Sequence, residues 1–150
     1  VEGKDYFFID EAEFARRRDA GELLEWATVF GKYSYGTPRQ WVLEHLAHGH
    51  LVILEIDVQG ALQVKAKMPE AYMMFVLPPS DEELLRRLRS RGRDNEAAIQ
   101  RRFREAKREI ETARDSSRYD AFIVNDDLQH AIDQACELVE KRRSNQPRCA

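Results

Sequence analysis

Three short apolar runs constrain this chain more than anything else in it. Residues 51–56 read LVILEI, 71–77 read AYMMFVL and 121–125 read AFIVN, and stretches with helical periodicity separate them. An apolar run of this length, bounded by polar residues, predicts a strand buried on both faces, as strands of a parallel sheet are. Such strands alternating with helices predict right-handed crossovers. The second half therefore reads strand–helix–strand–helix–helix–strand–helix. Its punctuation is clear. Pro69 ends a helix of about 59–67, and Pro78 and Pro79 end the second strand. Ser80 and Glu83 form a capping box for DEELLRRLRS, which Gly92 breaks. A helix of about 95–115 puts Ile99, Phe103, Ala106, Ile110 and Ala113 on one stripe, and a last helix starts near Asp127.

The first half follows another pattern. DYFFID predicts a short strand, and Asp10 with Glu13 a capping box for a helix ending at Gly21. ELLEWATVF alternates as a strand does, and GKYSYGT is a turn leading into a second one. Thr37 and Pro38 are expected as N-cap and first residue of a helix that stops at Gly49. These pieces suggest a smaller mixed subdomain set on the sheet.

Composition excludes several classes. The chain has 150 residues, 43% of them apolar, which suits one domain with a small subdomain. A net charge of −3 argues against general nucleic-acid binding. No apolar run approaches a membrane span and no secretory signal opens the chain, so no membrane partner and a cytoplasmic setting are expected. Cys136, expected on the apolar face of the last helix, and Cys149 in the tail suggest neither a disulfide framework nor a zinc site. His45, His48 and His50 lack the further ligands a metal needs. Arginine dominates the cations, eighteen against six lysines, and guanidinium pairs bidentately with phosphate and carboxylate.

Glu25 and Asp57 each end or interrupt an apolar strand. Carboxylates are rarely buried without a partner. Two acceptor-only groups at one site suit a ligand with paired N–H donors, such as the N1–H and N2–H₂ edge of guanine; adenine presents an acceptor at N1. A local ion pair with arginine is the commoner use of such acids and stays open. Tyr33, Tyr35 and Thr37 bring hydroxyls around Gly36, able to donate to phosphate or to a base carbonyl, although a packed hairpin would use the same residues. Arg87 and Arg91 share a helix face, and Arg101, Arg102 and Arg104 follow a glycine-marked loop. Arginines so arranged suit a lid that closes on a transferring phosphoryl group; a solvated Arg/Glu surface fits Arg86, Arg89 and Arg104 better.

Seven stretches together resemble the guanylate kinase family: GKDYFFI, GELLEWATVFG, YGTPR, ILEIDVQGA, KMPEAYMMFVLPPS, RLRSRGRD and YDAFIVNDDL. They stand in the family's order and cover nearly the whole chain. The resemblance implies an α/β fold: a parallel-sheet, P-loop kinase-like core, with a GMP-binding subdomain of about 1–37, core at 38–91 and 115–143, and a lid of about 92–114. It implies transfer of the ATP γ-phosphate to GMP with Mg2+. Tyr6 and Tyr35, with Gly36, resemble the GMP-phosphate contacts; Glu25, Thr37 and Asp57 resemble the guanine readers. Arg87, Arg91 and Arg102 resemble the arginines on ATP and the moving phosphoryl group, Asn125 the adenine contact, and Glu55 the acid near magnesium and phosphates.

There are two departures. GKYSYGT carries one residue more than the family's usual turn, so Tyr33 competes with Tyr35 for the phosphate role. No G-x-x-x-x-G-K-[ST] occurs in the 150 residues. That loop cradles ATP phosphates and its hydroxyl holds magnesium. The expectation is a fragment, incomplete at the N-terminus and inactive alone, whose buried strands lack a ladder partner. The alternative is a catalytically dead module of the same family that holds a phosphorylated protein partner.

Overall fold

A computed structural model of the chain describes residues 7–29, 33–90, 92 and 95–144. They form two compact units, Val1–Pro69 and Glu70–Ala150.

In the first unit residues 7–10 are not a strand, in contrast to the expectation for DYFFID; its first two residues lie outside the described ones. Helix α1 (Glu11–Asp19) is capped as predicted, with Asp10 Oδ1 accepting from the Glu13 N–H at 2.7 Å. The reciprocal half of the capping box is not made. The Glu13 carboxylate turns instead to Arg16 at 2.7 Å and Arg17 at 2.6 Å, because two guanidiniums outbid one neutral N–H. Strands β1 (Leu23–Val29) and β2 (Tyr33–Pro38) pair antiparallel, Glu25 opposite Thr37 and Ala27 opposite Tyr35. The register shifts between Leu23 and Glu25, a bulge that leaves Leu24 fully buried. Opposite the bulge the two backbones approach so closely that a Cβ on Gly36 would stand 2.8 Å from the Glu25 carbonyl oxygen.

Helix α2 (Arg39–Ala47) begins one residue later than expected. Pro38 occupies the N-cap without a side-chain cap, because the Thr37 hydroxyl is committed to Glu25. The run 51–56 is not the doubly buried strand predicted from its apolar content. It pairs with no strand among the described residues, and exposed and half-buried positions alternate along it, with Ile53 77% exposed. An apolar run asks for burial, but a strand needs a neighbour's N–H and C=O groups, and β1 and β2 spend theirs on each other. Helix α3 (Val58–Lys67) follows, capped by Asp57 and burying Val58, Gly60 and Val64.

The second unit has a two-stranded parallel sheet, β3 (Met74–Leu77) beside β4 (Ala121–Val124), with Met74 opposite Ala121 and Val76 opposite Ile123. Asp120 sets the register: its Oδ2 accepts from the Met73 N–H at 2.8 Å while its own N–H donates to the Met73 carbonyl at 2.9 Å. Helices α4 (Asp81–Ser90) and α5 (Glu96–Asp115) pack on one another across Gly92, whose φ of 63° suits glycine. Ser80 Oγ and Asn95 Oδ1 accept from the third N–H beyond them, as helix caps do. Helix α6 (Leu128–Ser144) contacts β4. Met73, Leu77, Leu88, Ile99, Ala113, Ile123 and Ala131 are the buried apolar residues of the second unit. Cys136, expected on the apolar face of α6, is exposed, and so are Leu128 and Ile132 of the same helix.

Gly36→Ala is expected to destabilise the chain by about 1–3 kcal/mol, because the atom it would strike is backbone and cannot swing away. Urea unfolding monitored by tryptophan fluorescence measures this.

Candidate functional site

Glu25 is a buried carboxylate, 6% exposed, on a strand that also carries its partner's register. The Thr37 hydroxyl donates to Glu25 Oε1 at 2.6 Å across the hairpin. The other oxygen lies over the first turn of α3, where a Cβ on Gly60 would come within 2.8 Å of Oε2. Gly60 is thus the only residue type that lets the carboxylate rest there. Asp57 caps the same turn, its Oδ1 accepting from the Gly60 N–H at 2.8 Å. The structure therefore brings Glu25, Thr37 and Asp57 to one helix end, where the dipole favours negative charge. Asp57 departs from the expectation in one respect: it is exposed, and it starts a helix rather than ending a buried strand.

Glu25 Oε2 and Asp57 Oδ2 accept no hydrogen bond among the described residues. Two carboxylate oxygens at one helix end can accept two neighbouring N–H donors of a planar ligand. Along β2 the period of two puts Tyr33 and Tyr35 on the face of Thr37, and both are about half exposed. The opposite face carries Gly36 against Trp26, with the Arg18 guanidinium 5.3 Å from the Trp26 ring centre. Tyr6 lies outside the described residues, and Glu55 is exposed on the run before Asp57.

The remaining candidates belong to the second unit. Among the described residues Arg87 is held at one edge only, its Nε donating to Glu83 Oε1 at 2.6 Å. Arg86 takes both oxygens of the same carboxylate at 2.6 Å. Hydrogen bonds from Arg86 and then Arg87 keep the Glu83 carboxyl near 2, well below its ordinary 4.5. Arg89 and Glu96 pair at 2.8 Å, tying the end of α4 to the start of α5 across Gly92, and hydrogen bonds from Arg89 and then Gln100 hold the Glu96 carboxyl at about 2. Lys107 and Asp81 add a second tie at 2.8 Å. Arg102 is half-buried on α5, and Asn125 follows β4 with its N–H on the Leu77 carbonyl at 2.8 Å. Arg91 lies outside the described residues.

Sequence reasoning missed the residues that support Glu25 from behind. Gln63 and Lys67 of α3 bind the β1 backbone on either side of it. The signal was available: both stand at helical spacing from Gly60, polar residues on a face that buries Gly60 and Val64. Among the described residues no group of His, Cys, Asp or Glu is arranged to hold a metal ion, and no helix is long and apolar enough to cross a membrane.

The fold resembles that of a solved nucleotide kinase. The crystal structure of guanylate kinase from Anaplasma phagocytophilum superposes with a TM-score of 0.73 at 35% identity, over 99% of this chain and 70% of that one. The profile of the family described as guanylate kinase matches residues 1–142. Guanylate kinases of Caldanaerobacter subterraneus subsp. tengcongensis and Nitratidesulfovibrio vulgaris are 45% and 48% identical, over 95% and 89% of the chain. A third, from Thermosynechococcus vestitus, is 50% identical over 88%. The chain belongs to the guanylate kinase family. It spans 63–68% of the length of these three curated relatives.

Two outcomes follow from the geometry. Thr37→Val, which keeps the shape and removes the donor, leaves a buried carboxylate unpaired and is expected to cost about 1–3 kcal/mol in urea unfolding. Glu83 and Glu96 titrate lower when folded than when unfolded, so their contribution is present above about 4.5 and is lost as pH falls towards 2. The melting temperature is expected to drop across that window, and less steeply in Glu83→Gln; an equal slope in the variant contradicts the assignment.

Proposed function

We propose that this chain supplies the GMP site and the arginine clamp for transfer of the ATP γ-phosphate to GMP, giving ADP and GDP. The observation that carries the reading is the Glu25–Thr37 pair lying over the helix turn that Asp57 caps. In this reading Glu25 and Asp57 accept from guanine N1–H and N2–H₂, and Thr37 fixes the Glu25 carboxylate for that purpose. Adenine would meet an acceptor with an acceptor and be rejected. Tyr35 or Tyr33, with Tyr6 and Gly36, would take the GMP phosphate. Arg87, Arg91 and Arg102 would gather charge on the moving phosphoryl group, with Gly92 to about Arg114 as the lid and Asn125 on the adenine.

Magnesium normally keeps several waters and binds through one or two carboxylates plus substrate phosphates. Glu55 offers a single exposed carboxylate, and the described residues form no metal cluster, so they do not by themselves fit a resident ion. In the proposal the ion arrives with ATP. The 150 residues contain no G-x-x-x-x-G-K-[ST] loop, so the chain alone is proposed to bind GMP and to transfer little phosphate, in a cytoplasmic setting.

Titration calorimetry with GMP and AMP tests the reading. GMP is expected to bind at least tenfold tighter than AMP, and Glu25→Gln to weaken GMP by roughly 10–100-fold, the worth of a hydrogen bond to a charged group. Equal affinity for the two nucleotides, or preference for a phosphopeptide with GMP ignored, overturns it. An ADP-release assay with ATP, Mg2+ and GMP is expected to show little turnover; rates typical of kinases would contradict the proposed need for the loop.

A further inference from the structure

The two peptide groups that flank Glu25 are both held by side chains of one helix. The Leu24 carbonyl, on the N-terminal side of Glu25, accepts from Lys67 Nζ at 2.8 Å, and the Leu23 carbonyl accepts from the same ammonium at 2.9 Å. On the C-terminal side the Gln63 amide pairs with Trp26 twice. Its Nε2 donates to the Trp26 carbonyl at 2.9 Å and its Oε1 accepts from the Trp26 N–H at 3.2 Å. A primary amide carries one acceptor and two donors, so Gln63 serves the edge of β1 as a neighbouring strand's peptide would. Lys67 has no carboxylate partner among the described residues; its ammonium serves the Leu23 and Leu24 carbonyls at the bulge.

These contacts do more than hold a strand. The bulge decides which way Glu25 points, since a one-residue slip sends a side chain to the opposite face. Gly60, on the same face of α3, meets the Glu25 carboxylate itself, and Asp57 begins that helix. One rigid helix therefore fixes the Glu25 backbone, the resting place of its carboxylate and the position of Asp57. A planar ligand that needs two acceptors at set spacing would feel any change in this helix–strand clamp as a loss of discrimination.

We infer that Gln63 and Lys67 are positioning residues for purine selectivity, setting the spacing of the Glu25 and Asp57 carboxylates without touching the nucleotide. The inference rests on the GMP reading above. The ligand class it concerns is the purine nucleoside monophosphates, and the informative comparison is GMP against IMP, which lacks only the 2-amino group.

The test measures the GMP-to-IMP affinity ratio by calorimetry, with melting temperature alongside, in the full chain. Gln63→Met removes both polar ends at similar length, Gln63→Glu keeps the acceptor for the Trp26 N–H and loses the donor, and Lys67→Met is set against Lys67→Arg. The ratio is expected to fall at least tenfold in Gln63→Met and Lys67→Met, to fall partway in Gln63→Glu, and to return in Lys67→Arg. A merely structural role would lower the melting temperature and leave the ratio alone. A folded Gln63→Met with the wild-type ratio overturns the inference while leaving the GMP reading intact; if that variant does not fold, an unchanged ratio in Gln63→Glu does the same. A wild-type chain that binds GMP and IMP equally overturns both.

Discussion

A single buried carboxylate organises the first unit. Glu25 is taken out of water, and an ionised group in that position requires a donor, room, and a favourable field. The donor is the Thr37 hydroxyl, the room is the missing side chain at Gly60, and the field is the start of α3. Each provision has a cost that shows elsewhere. Thr37 cannot cap α2 while it serves Glu25, so that helix starts on Pro38 with no side-chain cap. Gly36 must stay small because the bulge that aims Glu25 brings the two strands together.

The second unit is built on a different economy of charge. Glu83, Glu96 and Asp81 are partly or fully exposed and serve arginines and a lysine in pairs and triplets. Exposed pairs of this kind contribute little to stability one by one. Their effect is geometric. Glu83 holds Arg87 by Nε alone, which leaves the two Nη groups without a hydrogen bond among the described residues. Arg89 with Glu96, and Lys107 with Asp81, join α4 to α5 at both ends of their contact. A helical pair tied this way presents its remaining cations as a set.

Much of this was legible in the order of residues. Among the described residues the sequence pattern located the helices and strands β1 and β4 to within a residue or two, whereas β3 starts three residues into its apolar run and residues 7–10 form no strand; the caps at Asp10, Ser80 and Asp127 follow from side chains that can reach their own backbone. Such features are local, and local rules find them. The run 51–56 forms no strand, because apolar content signals burial alone, whereas a strand is a relation with a neighbour. The Thr37 hydroxyl had two possible partners close in sequence and space, and only the hairpin register decides between them. Helical spacing from Gly60 marks the face on which Gln63 and Lys67 stand, but their partners on β1 lie roughly forty residues away, which no local pattern reveals. Of the candidate site, the meeting of Glu25, Thr37 and Asp57 was anticipated through family resemblance; the helix turn on which they meet was not.

Asp57 is at once a helix cap and a candidate base reader, and the two duties differ in what they demand. A cap needs a side-chain oxygen, which asparagine supplies as well as aspartate. Reading a donor-rich base edge needs an acceptor without competing donors. An Asp57→Asn change would therefore leave α3 standing while altering what the site can recognise. Glu25 has no such freedom, because its carboxylate is buried and its neighbours are shaped around it. Under selection for a new base, drift in specificity would enter this fold through the exposed acid and leave the buried one unchanged.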